Sequence, residues 1–342
     1  MITPIGARPS SAVLGAPAFA TFQDAYLAVL RHISEGYTYR NAPRGNASRE
    51  TLGVSFQLTD PRQRLVTLAE RRANPVYHLA EALWYLAGRS DVAMISHYAP
   101  RRRADSRDGV SIDGSAYGAR LFAPGAFDQV LRLLRSERDS KRAVLPVFRP
   151  SELADPGSPD VPCLLALHLL VREGRLHMVC YMRANDADRG LLADVFSFTF
   201  IQEFTARLLG LELGTYTHHA GSMHLGEADL PRVERVLAAG PDEGFAVPSM
   251  PTGTDLAVVE ELLGHEAALR TNQLRLTARG IGRLGLDPYW AQALLLFEAH
   301  RQITYQLDEP VDASVLRALE PGLRQLVARR WPARMPGGVL PW

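Results

Sequence analysis

The sequence predicts an α+β fold in which a sheet is flanked by helices and followed by a helical C-terminal region. Two long apolar runs surround Arg172–Arg175, which is typical of two strands joined by a tight hairpin. Segment 194–213 carries aromatic and aliphatic residues at helical spacing up to Gly210, as expected of a buried helix. Three C-terminal segments, 258–270, 287–307 and 313–331, also have the apolar spacing of helices.

The remaining core elements are predicted from the same rules. Segment 22–34 is expected to be a helix, segment 40–58 a loop that runs into a strand, and segment 75–88 an amphipathic helix that stops at Gly88. Because both runs of the hairpin are continuously apolar, we expect both faces of these strands to be covered. We expect a sheet-centred core over residues 1–245 and a helical extension over residues 246–342.

Composition restricts the class of protein. The 342 residues, 46% of them hydrophobic, suffice for one large core, and a net charge of +1 gives no overall basic field for nucleic acid. We interpret the basic run Arg101–Arg103 as a solvated loop. Two cysteines make no disulfide framework, no apolar run is long enough to span a bilayer, and the N-terminus lacks signal-peptide features. We therefore expect a cytoplasmic protein without nucleic-acid or membrane partners.

Cys163 is the candidate nucleophile. A two-residue turn at Glu173–Gly174 would place it opposite Ala184, and a three-residue turn opposite Arg183. Either register puts the thiol beside Arg183, because cross-strand neighbours lie ~5 Å apart between Cβ atoms. A neighbouring guanidinium lowers the pKa of a thiol, so we expect Cys163 to be activated. Cys180 lies within the second apolar run and is expected to be a buried hydrophobe.

Six short motifs follow one another between roughly residues 40 and 230. One is Pro162-Cys163 followed by the hairpin and by Tyr181–Asp186. The other five are Ala80–Leu86, Ala116–Gly118, Asp139–Arg142, Asp194 and Gly221–His224. Together and in this order they resemble the motifs of the thymidylate synthase family, in which the cysteine segment is the nucleophile and phosphate-binding region. This resemblance implies that core residues 1–245 are a thymidylate synthase-like catalytic core. The resemblance implies a homodimer.

The resemblance also assigns chemistry to individual side chains. The implied catalytic residues are Cys163, Glu81, Asp194 and Tyr117. Glu81 is expected on the aromatic side of its helix, where desolvation raises the pKa of a carboxyl and suits proton relay. The implied phosphate ligands are Arg183, Arg44 (favoured over Arg40 because Pro43-Arg44-Gly45 is flexible) and, from the partner subunit, Lys141 and Arg142.

The implied base and sugar contacts are Asp194, His224, Ala184 and Asp186, and the implied folate contacts are Trp84 and Asp186. Thymidylate synthases present an Asn amide to uracil where this chain has Asp194. An ionised carboxylate only accepts hydrogen bonds, which suits the N4 amino group of cytosine and opposes O4 of uracil. Asp is also a good helix N-cap, and both roles can coexist.

Several other positions depart from the family pattern. His224-Leu225-Gly226 stands in place of His-x-Tyr, Ala184 in place of a Ser, and Lys141 in place of an Arg, which together predict a remodelled pocket that accepts a 2′-hydroxyl. Leu164 and Met182 replace a family His and Gln and remove polar groups near the base.

The pattern is similar to the cytidylate 5-hydroxymethylase branch, in particular to the CMP 5-hydroxymethylases of mildiomycin-type nucleoside antibiotic biosynthesis. The implied reaction joins CMP, 5,10-methylenetetrahydrofolate and water into 5-hydroxymethyl-CMP and tetrahydrofolate, with Cys163 attacking C6 and no metal. The alternatives are a dCMP hydroxymethylase, a thymidylate synthase acting on dUMP, and a non-catalytic nucleotide-binding protein. A zinc hydrolase built on His218, His219 and His224 is disfavoured because no HExxH motif accompanies them.

Overall fold

The computed structural model describes residues 15–155, 157–240 and 244–337, so the N-terminal segment considered for a signal peptide lies largely outside the described residues. Its centre is a seven-stranded mixed sheet. The strands are β1 (Ala18–Phe19), β2 (Tyr39–Asn41), β3 (Ser48–Leu58), β4 (Val144–Pro146), β5 (Leu164–Arg172), β6 (Arg175–Asp186) and β7 (Glu212–Gly226). Their spatial order is β1-β3-β7-β6-β5-β4, with β2 also paired to β3.

Twelve α-helices surround this sheet in the described part of the chain. In the core they are α1 (Phe22–Glu35), α2 (Pro75–Leu86), α3 (Val92–Tyr98), α4 (Tyr117–Leu121), α5 (Ala126–Ser136), α6 (Gly190–Leu209) and α7 (Leu230–Ala239). Beyond the core they are α8 (Leu256–Arg270), α9 (Ala278–Ile281), α10 (Pro288–Tyr305), α11 (Ala313–Ala318) and α12 (Pro321–Arg330). Among these residues no helix is both long and apolar enough to cross a bilayer.

The β5–β6 hairpin has a two-residue turn, the first of the two alternatives that the sequence left open. Glu173 and Gly174 have φ of 51° and 72°, the left-handed pair that a type I′ turn requires. A β-bulge between Leu164 and Ala166 then shifts the register by one residue. As a result, the backbone N–H of Arg183 donates to the carbonyl of Cys163 at 2.8 Å. Cys163 therefore lies opposite Arg183, and the bulge rather than the turn places it there.

Helix α6 joins the parallel strands β6 and β7 across one face of the sheet. Most of its twenty residues are buried, and Gly210 ends it in a left-handed conformation with φ of 63°, because glycine adopts this conformation without a Cβ clash. Helix α1 packs on β3 and β7, and α2 packs on α6. The predicted buried helix and its end point are confirmed, and Cys180 is fully buried beneath it.

The opposite face of the sheet is not covered in the single chain. Leu165 and Tyr181 are 37% and 38% exposed, and the Tyr181 ring stacks on His219 with centroids 5.5 Å apart. The expectation that both faces of the hairpin are buried is therefore wrong for one subunit. One face of these apolar strands is instead partly exposed to solvent in the single chain.

The C-terminal helices pack on the core through α2, which contacts α8, α10 and α12. The third predicted helix is in fact two, α11 and α12. Pro321 divides them, because a proline disfavours helical geometry at the residue before it, and Glu320 is extended with ψ of 141°. A buried Arg64–Glu203 ion pair strengthens the junction, since Glu203 also accepts the backbone N–H of Met250 at 2.8 Å.

Candidate active site

Cys163 lies immediately before β5 and is partly accessible. The Arg183 guanidinium does not bond to the thiol. It donates instead to the carbonyls of Pro162 and Val161, at 2.9 and 3.0 Å. Arg183 thus fixes the backbone that carries the nucleophile, and its side chain is exposed.

The Cys163 thiol is less acidic than the sequence suggested. Burial raises its pKa to about 11, Arg183 opposes that shift, and Asp194 adds to it. The expected activation by Arg183 is therefore outweighed by desolvation. A neutral thiol must lose its proton to a base as it attacks, or be ionised by additional positive charge at the site.

Asp194 ends a chain of buried hydrogen bonds. Its Oδ2 accepts from Asn185 Nδ2 at 2.7 Å, and Asn185 Oδ1 pairs with His218 Nε2 at 3.1 Å. His218 Nδ1 pairs with the Tyr216 hydroxyl at 2.9 Å. Burial lowers the pKa of His218 to about 3, so its imidazole is neutral and Nε2 is the donor to Asn185.

Desolvation raises the pKa of Asp194 to about 8, with repulsion from Glu81 in the same direction and Asn185 opposing. At neutral pH the carboxyl is therefore mostly protonated, and it can donate as well as accept. The premise that Asp194 acts as an acceptor-only carboxylate is thus wrong for this environment. Its N-cap role is also wrong, because Asp194 lies in the second turn of α6 and Asp186 accepts the N–H of Gly190 at 3.1 Å instead.

Glu81 and Tyr117 reach the same region from α2 and α4. Glu81 is 3% exposed and accepts from the Tyr77 hydroxyl at 2.6 Å and from Ser197 at 3.4 Å. Burial raises the pKa of Glu81, as the sequence predicted. Burial also raises the pKa of Tyr117 well above its usual value, and the charges of Asp194 and Cys163 add to this shift. The four predicted catalytic side chains are therefore close enough for the charge of one to shift the pKa of another.

Close packing explains the Tyr117-Gly118 turn. A Cβ on Gly118 would overlap the backbone of Tyr85, so only glycine allows α4 to approach α2 this closely. Residues just before α4 also contact the nucleophile loop, residues 157–162, which leads to Cys163. Asp160 Oδ2 in this loop accepts the backbone N–H groups of Gly114 and Ser115 at 2.9 and 2.7 Å.

The predicted sugar contacts lie at adjacent strand ends. In the parallel β6–β7 pair, Ala184 is opposite Ser222 and Asp186 is opposite His224. Ala184 and Asp186 lie just beyond Arg183 on β6, and Arg183 is paired with Cys163. These residues and their β7 neighbours are therefore at the same end of the sheet as Cys163.

Of the two candidate phosphate arginines near the N-terminus, Arg44 reaches the nucleophile loop. It has φ of 53° and donates to the Ser158 carbonyl at 3.0 Å. Arg40 instead bonds to the Tyr37 hydroxyl at 3.0 Å and lies 3.9 Å from Glu227. Arg44 is therefore the one of the two that lies near Cys163, and its role as a phosphate ligand stays a prediction.

Lys141 and Arg142 lie elsewhere on the same subunit. The Lys141 carbonyl pairs with His168 at 3.1 Å, five residues along β5 from Cys163, which corresponds to roughly 17 Å of strand. Arg142 is exposed and forms an ion pair with Glu137 at 2.6 Å. These cations therefore do not converge on the Cys163 of their own chain.

Two side chains differ from their sequence interpretation. Trp84 is fully buried and donates to Asp91 at 3.3 Å, which does not fit a folate contact. Arg102 is not solvated, because its side chain is only 12% exposed. The middle residue of the basic run thus belongs to the interior.

A basic cavity of about 610 Å³ opens beside Glu81. Tyr77, the hydrogen-bond partner of Glu81, forms part of its wall, and His78 next to it has a buried Nδ1 without a partner among the described residues. Arg330 of α12 shows that the C-terminal extension contributes to this cavity. The arginines that line it are Arg71, Arg72, Arg101, Arg189, Arg232, Arg235 and Arg330.

Two of the three histidines considered as metal ligands have other hydrogen-bond partners. His218 belongs to the Asp194 chain, and His219 Nδ1 bonds to Ser55 at 2.6 Å. Within residues 15–155, 157–240 and 244–337, no three His, Cys, Asp or Glu side chains are grouped as a metal site.

A partly accessible nucleophile just before β5, a protonatable carboxyl on α6 and a second buried carboxyl on α2 thus lie in one region of the protein. The thymidylate synthase family profile matches residues 24–255. The chain belongs to the thymidylate synthase family and is a folate-dependent one-carbon transferase. Family members bind a nucleotide and use methylenetetrahydrofolate as co-substrate.

Similar proteins include three phage enzymes named deoxyuridylate hydroxymethyltransferase. The protein of Pseudomonas phage M6 is 32% identical over 251 residues, covering 70% of this chain and 71% of its own length. Those of Bacillus phage SP01 and Delftia phage PhiW-14 are 33% and 31% identical, covering 54% and 57% of this chain and 52% and 57% of their own lengths. The chain thus spans little more than half of the second and third relatives.

Proposed function

We propose that the protein transfers a one-carbon unit to C5 of a pyrimidine nucleoside monophosphate and releases it as a 5-hydroxymethyl nucleotide, with CMP as substrate. The observation that carries this proposal is the buried, protonatable Asp194 within electrostatic reach of the Cys163 thiol. Such a pair can hold a base edge and attack the same ring.

The chemistry begins with the sulfur of Cys163 adding to C6, which makes C5 nucleophilic. When bound, methylenetetrahydrofolate supplies the one-carbon unit at the oxidation level of formaldehyde. Once that carbon is bonded to C5, loss of the C5 proton and departure of tetrahydrofolate leave an exocyclic methylene on C5. Water then adds to that carbon, the electron pair of the exocyclic double bond returns to the ring, and the thiolate leaves C6.

A neutral Asp194 carboxyl matches cytosine in two ways. Its O–H can donate to N3 while its C=O accepts from the N4 amino group. The donated hydrogen bond meets the negative charge that develops on N3 when sulfur adds to C6, which lowers the barrier. The proposal of cytosine therefore rests on a protonated carboxyl and not on an ionised one.

The ribose preference is proposed from small residues at the sugar site. Ala184 and Gly226 have no side-chain hydroxyl or phenol, and they lie on neighbouring strand ends close to His224. Space beside a ribose edge permits a 2′-hydroxyl, so CMP is preferred to dCMP.

A second candidate substrate is dUMP, favoured by the names of the phage relatives. The same neutral Asp194 would donate to O4 of uracil and accept from N3–H. The carboxyl alone therefore does not separate the two bases, and direct comparison of substrates must do so.

We further propose a homodimer formed through the open face of the sheet. Leu165 and Tyr181 on this face, with Val144 at 39% exposure on the edge strand, form an apolar surface that a second copy would cover. Lys141 and Arg142 lie near the same edge, far from their own Cys163. They would then complete the phosphate site of the partner together with its Arg44 and Arg183.

The basic cavity fits the anionic part of a folate. Its arginines offer several donors for carboxylates. Burial, assisted by Arg71, lowers the pKa of His78 to about 3, so its unpartnered Nδ1 is a neutral hydrogen-bonding group that a ligand can satisfy. Tyr77 would place that ligand next to Glu81.

Mass spectrometry of nucleotide products tests the reaction. CMP, dCMP and dUMP are each incubated with enzyme and methylenetetrahydrofolate, and wild type is compared with Cys163→Ala. A gain of CH₂O on CMP that the variant abolishes is the expected result. A gain of CH₂ would overturn water as the final acceptor, and turnover of dUMP alone would overturn cytosine.

Mixed dimers test the shared site. Cys163→Ala and the double variant Lys141→Gln/Arg142→Gln should each be inactive. Co-expression should restore about a quarter of wild-type activity, because half of the dimers are mixed and each carries one intact site. No recovery in mixed dimers would overturn the cross-subunit role of these cations.

A further inference from the structure

A fully buried carboxyl group contacts arginines that line the basic cavity. It belongs to Asp188, which lies in the connection between β6 and α6 and has no exposed surface. Carboxylates are rarely buried unless cations or hydrogen-bond donors surround them. The reaction proposed above does not use this side chain, so its burial needs a separate explanation.

Three arginines of the cavity wall contact Asp188. Arg71 Nε lies 3.2 Å from Asp188 Oδ1, and Arg71 Nη2 donates to the Asp188 carbonyl at 3.1 Å. Arg232 Nη2 on α7 forms an ion pair with Asp188 Oδ2, and Arg189 Nε lies 3.9 Å from the same oxygen. One carboxylate therefore connects cations that come from three separate segments of the chain.

Two further side chains complete this network. The buried Tyr26 hydroxyl of α1 donates to the carbonyl and to Oδ1 of Asp188, at 2.9 and 3.1 Å, and it accepts from Arg71 Nε at 2.9 Å. Asp229 accepts from Arg232 Nη2 at 2.7 Å. Arg71 and Arg232 are thus each held by two side chains, which restricts the orientation of both guanidinium groups.

The network leaves donors for a ligand. Arg232 Nε is buried and has no hydrogen-bond partner among the described residues. The cavity cations also lie close to one another, because burial lowers the pKa of Arg330 and the charges of Arg71 and Arg72 add to this shift. Guanidinium groups that converge in fixed orientations suit an anion with more than one carboxylate, such as the glutamate of a folate.

We propose that Asp188 is a positioning residue that holds Arg71 and Arg232 in the wall of the basic cavity, where they bind the glutamate carboxylates of the folate. The inference rests on the proposed function, which assigns this cavity to the folate. Asp188 does not touch the folate in this proposal and acts only through the two arginines.

The sign of the effect separates positioning from a general attraction between charges. Asp188 cancels one positive charge of the cavity, so its removal would strengthen anion binding if net charge alone attracted the folate. If Asp188 instead fixes the guanidinium groups, its removal weakens binding, because the arginines must then be ordered by the ligand itself.

Isothermal titration calorimetry of the whole chain tests the proposal. Tetrahydrofolate, and tetrahydropteroate as the matched ligand without glutamate, are titrated into wild type, Asp188→Asn and Tyr26→Phe in the presence of CMP or dUMP. The control variant is Glu298→Gln on α10. Glu298 is 1% exposed and pairs with Arg301 at 2.7 Å, so it matches a buried carboxylate–arginine pair outside the cavity wall.

Asp188→Asn should raise the Kd of tetrahydrofolate about tenfold, which corresponds to the loss of roughly one hydrogen bond between charged groups. The Kd of tetrahydropteroate should not change. Tyr26→Phe should raise the Kd of tetrahydrofolate about threefold, because Arg71 loses one of its two anchors. Glu298→Gln should match wild type for both ligands. In steady-state kinetics of Asp188→Asn, KM for the folate should rise with Kd while kcat stays the same.

An unchanged or lower Kd of tetrahydrofolate in Asp188→Asn would overturn the inference. Equal losses for the two ligands would also overturn it, since they indicate a distorted cavity rather than misplaced arginines. If Asp188→Asn does not fold, Tyr26→Phe decides the question, and an unchanged Kd there would overturn the inference. Wild type that binds both ligands equally would instead overturn the assignment of the cavity to the folate, so the two failures are distinguishable.

Discussion

The two buried carboxyls of the active site have different surroundings. Glu81 on α2 accepts from the hydroxyls of Tyr77 and Ser197 and lies in the field of the buried cation Arg102. Asp194 on α6 accepts from the neutral amide of Asn185. Burial raises both pKa values, but for Glu81 the strongest opposing influence is a charge, and for Asp194 it is an amide. The two carboxyls therefore differ in what counters desolvation, which is a guanidinium charge at Glu81 and an amide hydrogen bond at Asp194.

Removing the carboxyl group of Glu81 should reduce kcat more than any other change considered below. Glu81→Gln keeps the shape and the Tyr77 contact but cannot accept a proton, so kcat for hydroxymethyl product should fall about 10²–10⁴-fold. KM for the nucleotide should change little, as steady-state kinetics can measure. Glu261→Gln on α8 is the matched control on the extension. A KM effect equal to the kcat effect would assign Glu81 to substrate binding.

Asp194→Asn should change the pH dependence next. A carboxyl that must be protonated loses its donor as pH rises through its pKa of about 8, so wild-type activity should fall on the basic side. The amide does not titrate, and the basic limb should disappear in the variant. A basic limb that persists unchanged would separate Asp194 from ring binding.

Breaking the amide chain should have a smaller effect. Asn185→Leu removes the hydrogen bond that opposes the raised pKa of Asp194, so the basic limb should move upward. It also leaves His218 Nε2 unpaired, which should cost about 1–3 kcal/mol of unfolding free energy. Urea denaturation and the kcat profile measure the two effects. Gln292→Leu on α10, which removes the 3.1 Å hydrogen bond to the Ala318 carbonyl in the C-terminal extension, is a comparison variant away from the site.

The smallest expected effect is on thermal stability. Because the pKa of Asp194 is raised on folding, the folded state binds a proton that the unfolded state has released, and stability falls as pH rises from about 4 to 8. Asp194→Asn should therefore gain about a few °C in Tm at pH 8.5 relative to wild type and less at pH 5. Equal gains at both values would contradict the raised pKa.

The sequence predicted the elements that carry Cys163, Glu81 and Asp194, because helical spacing, the hairpin turn and the motif order are local signals. It did not predict the protonation states of the Cys163 thiol and the Asp194 carboxyl. The pKa values of Cys163 and Asp194 depend on desolvation by elements distant in sequence.

For other parts of the site, the sequence contains a usable signal for some residues and none for others. His218 could have been assigned to the interior from strand alternation, since its β7 neighbours Tyr216 and Ala220 also point inward. Arg102 had no such signal, because three consecutive arginines look alike in sequence and the turn geometry alone selects the inward one. The open sheet face was misjudged because one chain does not reveal what a second copy covers.

The β-bulge in β5 determines which residue of β6 lies opposite Cys163. An ideal ladder built outward from the Glu173–Gly174 turn would seat residue 163 one step further along β6, about 3.3 Å away. Deleting Leu165 would remove the bulge and still leave Cys163 opposite Arg183, because the bulge absorbs one residue of β5. A variant that straightens β5 without a deletion would instead move the sulfur one step along β6, so the bulge sets the position of the reactive atom.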